Sequence, residues 1–326
     1  MRRAGLARIA AGLGALLRGG GAAAPPPSGA PADPLAAAGW ELVWADEFEG
    51  DALDRSKWTP EVSCWGGGNG ERQCYTDRPE NIAVEGGLLL LKARKERFAG
   101  PARPPEIAGR DNPTLVQSHT SGKVRTIGLH AWRYGRIEAR ARVPAGQGTW
   151  PAIWMMPDNP AYGPWPRSGE IDILEAVNIG ARCKQCAGGR ENRTISALHF
   201  GDFPPANRFI DSRTALPDGA LPSADFHVYA VEWGAGLIRF LVDGRVHLTV
   251  TADQWSTASP RARGRPHAPF DQPFYLMANL AVGGRLAEEN NAKGLAAASF
   301  PAQFAIDWIR VYRCARDPVT GRACMG

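Results

Sequence analysis

Beyond its first 24 residues the chain has no apolar run long enough to span a membrane, and long helical periodicity is nearly absent. A membrane-spanning helix and an all-helical fold are thereby excluded. No internal repeat is visible and no second domain. Charge of one sign is scarce as well. The formal net charge of the 326 residues is +5, and four of the positive charges (Arg2, Arg3, Arg8, Arg18) fall in the first 24 residues, which contain no acid. Without them about +1 remains, so the composition gives little support to a nucleic-acid partner.

What is present begins with a basic leader around "IAAGLGALL", which reads as a secretory signal over residues 1–24 with small residues at its end. "PPPSGAPADPLAAA" (25–38) reads as a Pro/Ala linker. Residues 39–316 then read as one domain, and 317–326 as a C-terminal tail. Short β-rich runs such as "GLLLLKA", "YGRIEARARV", "FHVYAVEW" and "FAIDWIRVYRC" alternate with Gly, Pro, Asn and Asp turns. That density of strands predicts an all-β fold, a sandwich or jelly roll.

Six cysteines in an exported chain predict disulfides. Pairing by proximity gives Cys64–Cys74, Cys183–Cys186 and Cys314–Cys324, one of the fifteen connectivities that six cysteines allow. "CKQC" could instead suggest a redox motif or half a zinc site. It lies in a β-rich chain with no βαβ unit and no second CxxC, which disfavours both.

The stretch "GEIDILEAVN" (169–178) sets three acids, Glu170, Asp172 and Glu175, in an apolar segment with no Lys or Arg among them. A solvated strand face would account for them, and a calcium loop is conceivable, although such loops alternate Asp, Asn and Gly. Paired carboxylates also serve glycoside hydrolysis, with carboxyls about 5–5.5 Å apart in retaining enzymes. Glutamates four strand residues apart meet that spacing, at about 3.3 Å of rise per residue. Here the separation is five, which puts Glu175 on the wrong face of a regular strand. The spacing therefore predicts a one-residue bulge near Ile173 or Leu174, with all three acids facing one cleft.

Upstream, "GTWPAIWMMP" places Trp150 and Trp154 four apart, on one face of a strand, and Trp165 follows five residues before Glu170. Core packing would explain them, since tryptophan is highly buried on average. Indoles beside paired acids also suit the apolar faces of sugar rings.

Taken with "WADEFEG", "GNGERQCYTDRPENI", "TSGKVRT", "YGRIEARARVPAGQGTWPAIWMMP", "LHFG", "FLVDG", "PFYLMANLAVGG" and "FPAQFAIDWIRVY", in this order, the chain resembles glycoside hydrolase family 16 in its laminarinase-like branch over about residues 40–313. Members without the extra residue read "ExDxE"; the bulged form is typical of the branch that cleaves β-1,3-glucans. The resemblance implies a β-jelly roll of two curved antiparallel sheets with an open cleft on the concave face. It implies a secreted, retaining endo-β-1,3-glucanase acting on a β-glucan polysaccharide, with no nucleic-acid or membrane partner, as a monomer. Glu170 would be the nucleophile, Glu175 the acid/base, and Asp172 the residue tuning Glu170. Asn81, Trp150, Trp154, Trp165 and His199 fall at positions that line the family's cleft, and Arg125 lies close to one. No cofactor is implied for catalysis. Many members hold a structural calcium ion, whose ligands here would be Glu47, the carbonyl of Gly87, and Asp307; oxygen ligands suit a hard cation. Other readings are a hydrolase or transglycosylase of another β-glycan (mixed-linkage glucan or galactan), or a non-catalytic glucan-binding protein. The segment 96–117, the long loop around "CKQC" and Leu286 depart from the family pattern.

Overall fold

A computed structural model describes residues 34–326. The expected leader, and the linker up to residue 33, lie outside the described residues. Among the described residues no helix is long and apolar enough to cross a membrane.

Among the described residues seventeen strands form two sheets of ten and seven. The seven-stranded sheet runs in the order Asn207–Ala215, Arg193–Gly201, Glu170–Glu175, Thr149–Pro157, Phe274–Val282, Lys123–Arg125 and Thr59–Pro60. The larger sheet is built around Ala302–Cys314, which pairs with Gly135–Arg142, Leu88–Pro101 and Trp40–Asp46. Pairing is antiparallel except between Gln73–Tyr75 and Thr114–Ser121, which run parallel. This is the jelly roll, with one departure from purely antiparallel sheets.

Period-two alternation assigns the faces. In "FYLMANLAV", Phe274, Leu276, Ala278, Leu280 and Val282 enter the core between the sheets, where they meet Ile153, Met155, Ile171, Ile173, Leu198 and, from the other sheet, Leu89, Leu91, Ile137, Val231, Phe304 and Ile306. Tyr275, Met277 and Asn279 face the other way, into the cleft. Each large side chain buried in this layer contributes about 1.5–3 kcal/mol.

The domain boundaries need correction at both ends. Pro34–Ala38, read as linker, is a helical turn whose Leu35 and Ala38 pack on a small cluster of Trp40, Tyr312, Cys314, Cys324 and Met325. The tail is not loose either. Asp317 accepts from Thr320 and Arg322, Ala235 N–H donates to the Thr320 carbonyl at 2.7 Å, and Met325 is buried. Apolar Leu35 and Met325 explain both corrections, because each covers surface that would otherwise meet water. The three proximity-paired disulfides are formed.

Candidate active site

Glu170–Glu175 carries the bulge. Against the strand Thr149–Pro157, Asp172 opposes Trp154 while Leu174 opposes Ile153, so Ile173 is the extra residue. On the other flank, Asp172 opposes Ala197 and Glu175 opposes Ile195. The extra residue returns Glu175 to the face of Glu170 and Asp172, while Ile171, Ile173 and Leu174 stay in the core. Gly169 launches the strand at φ 84°, and a β-carbon there would lie 2.8 Å from the Phe270 ring, so only glycine fits the turn.

Directly opposed residues share a face. The register therefore lays three rows across the concave sheet. Glu170 opposes His199, which opposes Phe209. Asp172 opposes Trp154, which opposes Met277, which opposes Arg125. Glu175 opposes Ala152, then Asn279, then Lys123, and on its other side Ile195 and Arg213.

Within this surface the acids have separate partners. Trp150 Nε1 donates to Glu175 Oε1 at 2.9 Å, and Trp165 Nε1 donates to Glu170 Oε2. Trp154 Nε1 donates to Asn279 Oδ1 at 2.6 Å, and Asn279 donates onward to the Tyr75 hydroxyl at 3.1 Å. His199 Nε2 stands 3.3 Å from Asp172 Oδ2, an ion pair when the ring is protonated. A carboxylate oxygen of Glu170, one of Asp172 and a ring nitrogen of His199 lie within 4.8 Å of one another, so the histidine balances charge among the acids.

Burial raises two of the three acids. Burial pushes the Asp172 carboxyl well up, and the neighbouring Glu170 charge adds to it. Burial also raises Glu175, against the opposing hydrogen bond from Trp150. Burial disfavours charge on His199, but its contact with Asp172 and the field of all three acids outweigh that and push it up to about 10. A raised carboxyl is what a general acid requires.

The other expected site residues divide. Trp150, Trp154, Trp165 and His199 join the cleft around the acids. Asn81 does not: it is wholly buried. Its Oδ1 accepts from Thr76 and Arg78, and its amide donates to the Lys92 carbonyl and Thr120 Oγ1, which uses its bonding capacity internally. Gly122 beside it is close-packed: a β-carbon would sit 2.4 Å from the Asn81 carbonyl oxygen. Arg125 lies in the Asp172 row, but its buried guanidinium is held between Glu61 at 3.4 Å and Glu106. Glu106 comes from the segment 96–117. That segment prolongs Leu88–Pro101 and Thr114–Ser121 as a hairpin, with a helical turn at Pro105–Ile107.

Of the residues expected to hold calcium, Glu47 and Asp307 do not fit the ion as they stand. Arg310 takes both Glu47 oxygens at 2.8 Å, and Arg140 takes Asp307 at 2.5 Å. A cation would have to displace two guanidiniums.

Lys123, Asn279, Tyr75 and Phe209 escaped the sequence reading. Lys123 pairs with buried Glu61 at 2.9 Å and lies over the rings of Trp154 and Tyr75. Counting two back from Arg125, and alternating through "FYLMANL", would have found the first two.

Comparison with known proteins agrees with this geometry. Residues 40–314 match the family model described as "Beta-porphyranase A-D, GH16 domain". The chain is 39% identical to the beta-glucanase of Rhodothermus marinus, over 84% of this chain and 85% of that one. It is 39% identical to glucan endo-1,3-beta-glucosidase A1 of Niallia circulans over 87% of this chain, although it spans only 39% of that longer protein. The solved laminarinase of Rhodothermus marinus superposes with a TM-score of 0.64 at 37% identity, covering 84% of this chain and 97% of the other. With the bulged acid strand, its tryptophans and these relatives in hand, the chain belongs to glycoside hydrolase family 16.

Proposed function

We propose that this protein is a secreted endo-β-1,3-glucanase that cleaves by retaining double displacement. The observation that carries the reading is the bulge at Ile173, which sets Glu170 and Glu175 on one face with Asp172 between them. Glu170 attacks the anomeric carbon and its C–O bond forms as the glycosidic C–O bond breaks. Glu175, whose burial favours the protonated form, gives its proton to the departing oxygen. Glu175 then takes a proton from the water that opens the glycosyl ester, and Glu170 leaves as carboxylate. Asp172 and the cationic His199 hold the field steady around this exchange. The linkage preference rests on likeness to relatives named as endo-1,3-β-glucosidase and laminarinase.

A galactan-directed hydrolase is the second reading, favoured by the porphyranase description of the matching family model. Reducing-sugar release from laminarin, lichenan, agarose and porphyran separates the two: laminarin fastest supports the first, agarose or porphyran fastest the second. Proton NMR of the earliest laminarin digest should show the β anomer before mutarotation. An α anomer appearing first would remove Glu170 from its role.

A further inference from the structure

The row that begins at Glu170 continues past His199 to Phe209, on the edge strand Asn207–Ala215. Phe209 is 59% exposed. A lone exposed apolar side chain needs no explanation in general; the position of this one does. Three rings follow one another away from the nucleophile. The Trp165 and His199 centroids are 6.2 Å apart, those of His199 and Phe209 5.7 Å apart, with planes turned by 42° and 34°. Two strand spacings put Phe209 about 10 Å from the Glu170 backbone, a distance that a disaccharide spans.

The two sides of the cleft differ in kind. Beyond Trp154 the wall is a buried, fully engaged set of Asn279, Lys123 and their partners. Beyond His199 it is open ring surface. The sugar joined to Glu170 has to stay in register while the other half departs and water enters, so it needs the close wall. The departing half needs a surface that it can leave. Resting on the glucanase reading above, we propose that Phe209 is a stacking platform for the leaving half of the polysaccharide, and for sugar acceptors that replace it.

The test uses the full chain with β-laminaribiosyl fluoride as donor and laminaribiose as acceptor, and reads the ratio of transfer to hydrolysis. Both products come from one glycosyl-enzyme, so the ratio reports acceptor binding and is insensitive to a general loss of activity. Phe209→Ala should lower the ratio roughly 3–10-fold, the worth of one aromatic contact, and Phe209→Tyr should restore it. In laminarihexaose labelled at its reducing end, the alanine variant should lose the cuts that require several sugars on the leaving side. An unchanged ratio, or a loss of cuts at the opposite end of the hexaose, overturns the platform while leaving the glucanase reading in place. Inactivity of the unaltered protein on both laminarin and the fluoride overturns the glucanase reading, and this inference with it.

Discussion

Removing the Glu175 carboxyl tests the proposed chemistry most directly, because the structure separates what each substitution takes away. Loss of a positioned acid costs about 10²–10⁴-fold in rate, or about 3–5 kcal/mol of barrier at 1.36 kcal/mol per tenfold. Glu175 also accepts the 2.9 Å hydrogen bond from Trp150 Nε1. Alanine would strand that half-buried donor, at a stability cost of about 1–3 kcal/mol, whereas glutamine can still accept it. At about 2 °C per kcal/mol for a chain of this size, Glu175→Ala should melt about 2–6 °C lower and Glu175→Gln close to the unaltered protein. Both should lose the same large factor on laminarin. The loss in kcat/KM, which reports formation of the glycosyl ester, should shrink sharply on β-laminaribiosyl fluoride, whose leaving group needs little protonation. Azide added to the alanine variant should open the Glu170 ester by forming a C–N bond as the ester C–O bond breaks, giving a β-glycosyl azide. Near-normal laminarin hydrolysis by either variant, or an equal loss of kcat/KM on laminarin and fluoride, would refute the assignment of Glu175 as the acid.

Trp150→Phe removes the hydrogen bond that stabilises ionised Glu175, so that carboxyl should rise further. Because Glu175 acts protonated and activity falls as pH climbs through its pKa, the alkaline limb of kcat/KM should move to higher pH; a limb that stays or moves down contradicts the role. Converting Cys64 and Cys74 to serine opens a loop with a sequence separation of 10, which should cost about 2.7 kcal/mol and lower the Tm by about 5 °C in calorimetry. No shift on that double substitution would show that the bridge constrains nothing. Treatment with a chelator should leave the Tm unchanged, since arginines already occupy Glu47 and Asp307; a fall restored by calcium would show that the site forms after all.

The part of the site governed by parity was legible in the sequence. A separation of five residues from Glu170 to Glu175 demands a bulge if both are to face one way, and alternation alone places Trp150 and Trp154 together. Contacts between distant segments were not legible. Asn81 is consumed by Lys92 and by Thr120, 39 residues away, and no local pattern announces that. Arg125 falls near the cleft by its motif, but its cover by Glu106 depends on the path of a hairpin, in the atypical segment 96–117, that no local pattern predicts. The partners of the residues expected to hold calcium were not legible either. Glu47 and Asp307 are oxygen donors on paper, yet Arg310 and Arg140 reach them through strand pairing that joins residues far apart in the chain.

The bulge at Ile173 also bears on which insertions and deletions the family can survive. Loss of one residue from a buried strand ordinarily exchanges its two faces and ruins the protein. Here the acids stand at positions 0, 2 and 5 of the strand, with the surplus residue absorbed between the second and third. Deleting Ile173 or Leu174 would leave acids at 0, 2 and 4, still on one face, with a single apolar residue between Asp172 and the last glutamate to enter the core. Deleting Ile171 would instead turn Glu170 away from its partners. The bulge is thus a place where the reading length of the strand can change by one without crossing an inactive intermediate, which makes the longer and shorter acid motifs neighbours in sequence space.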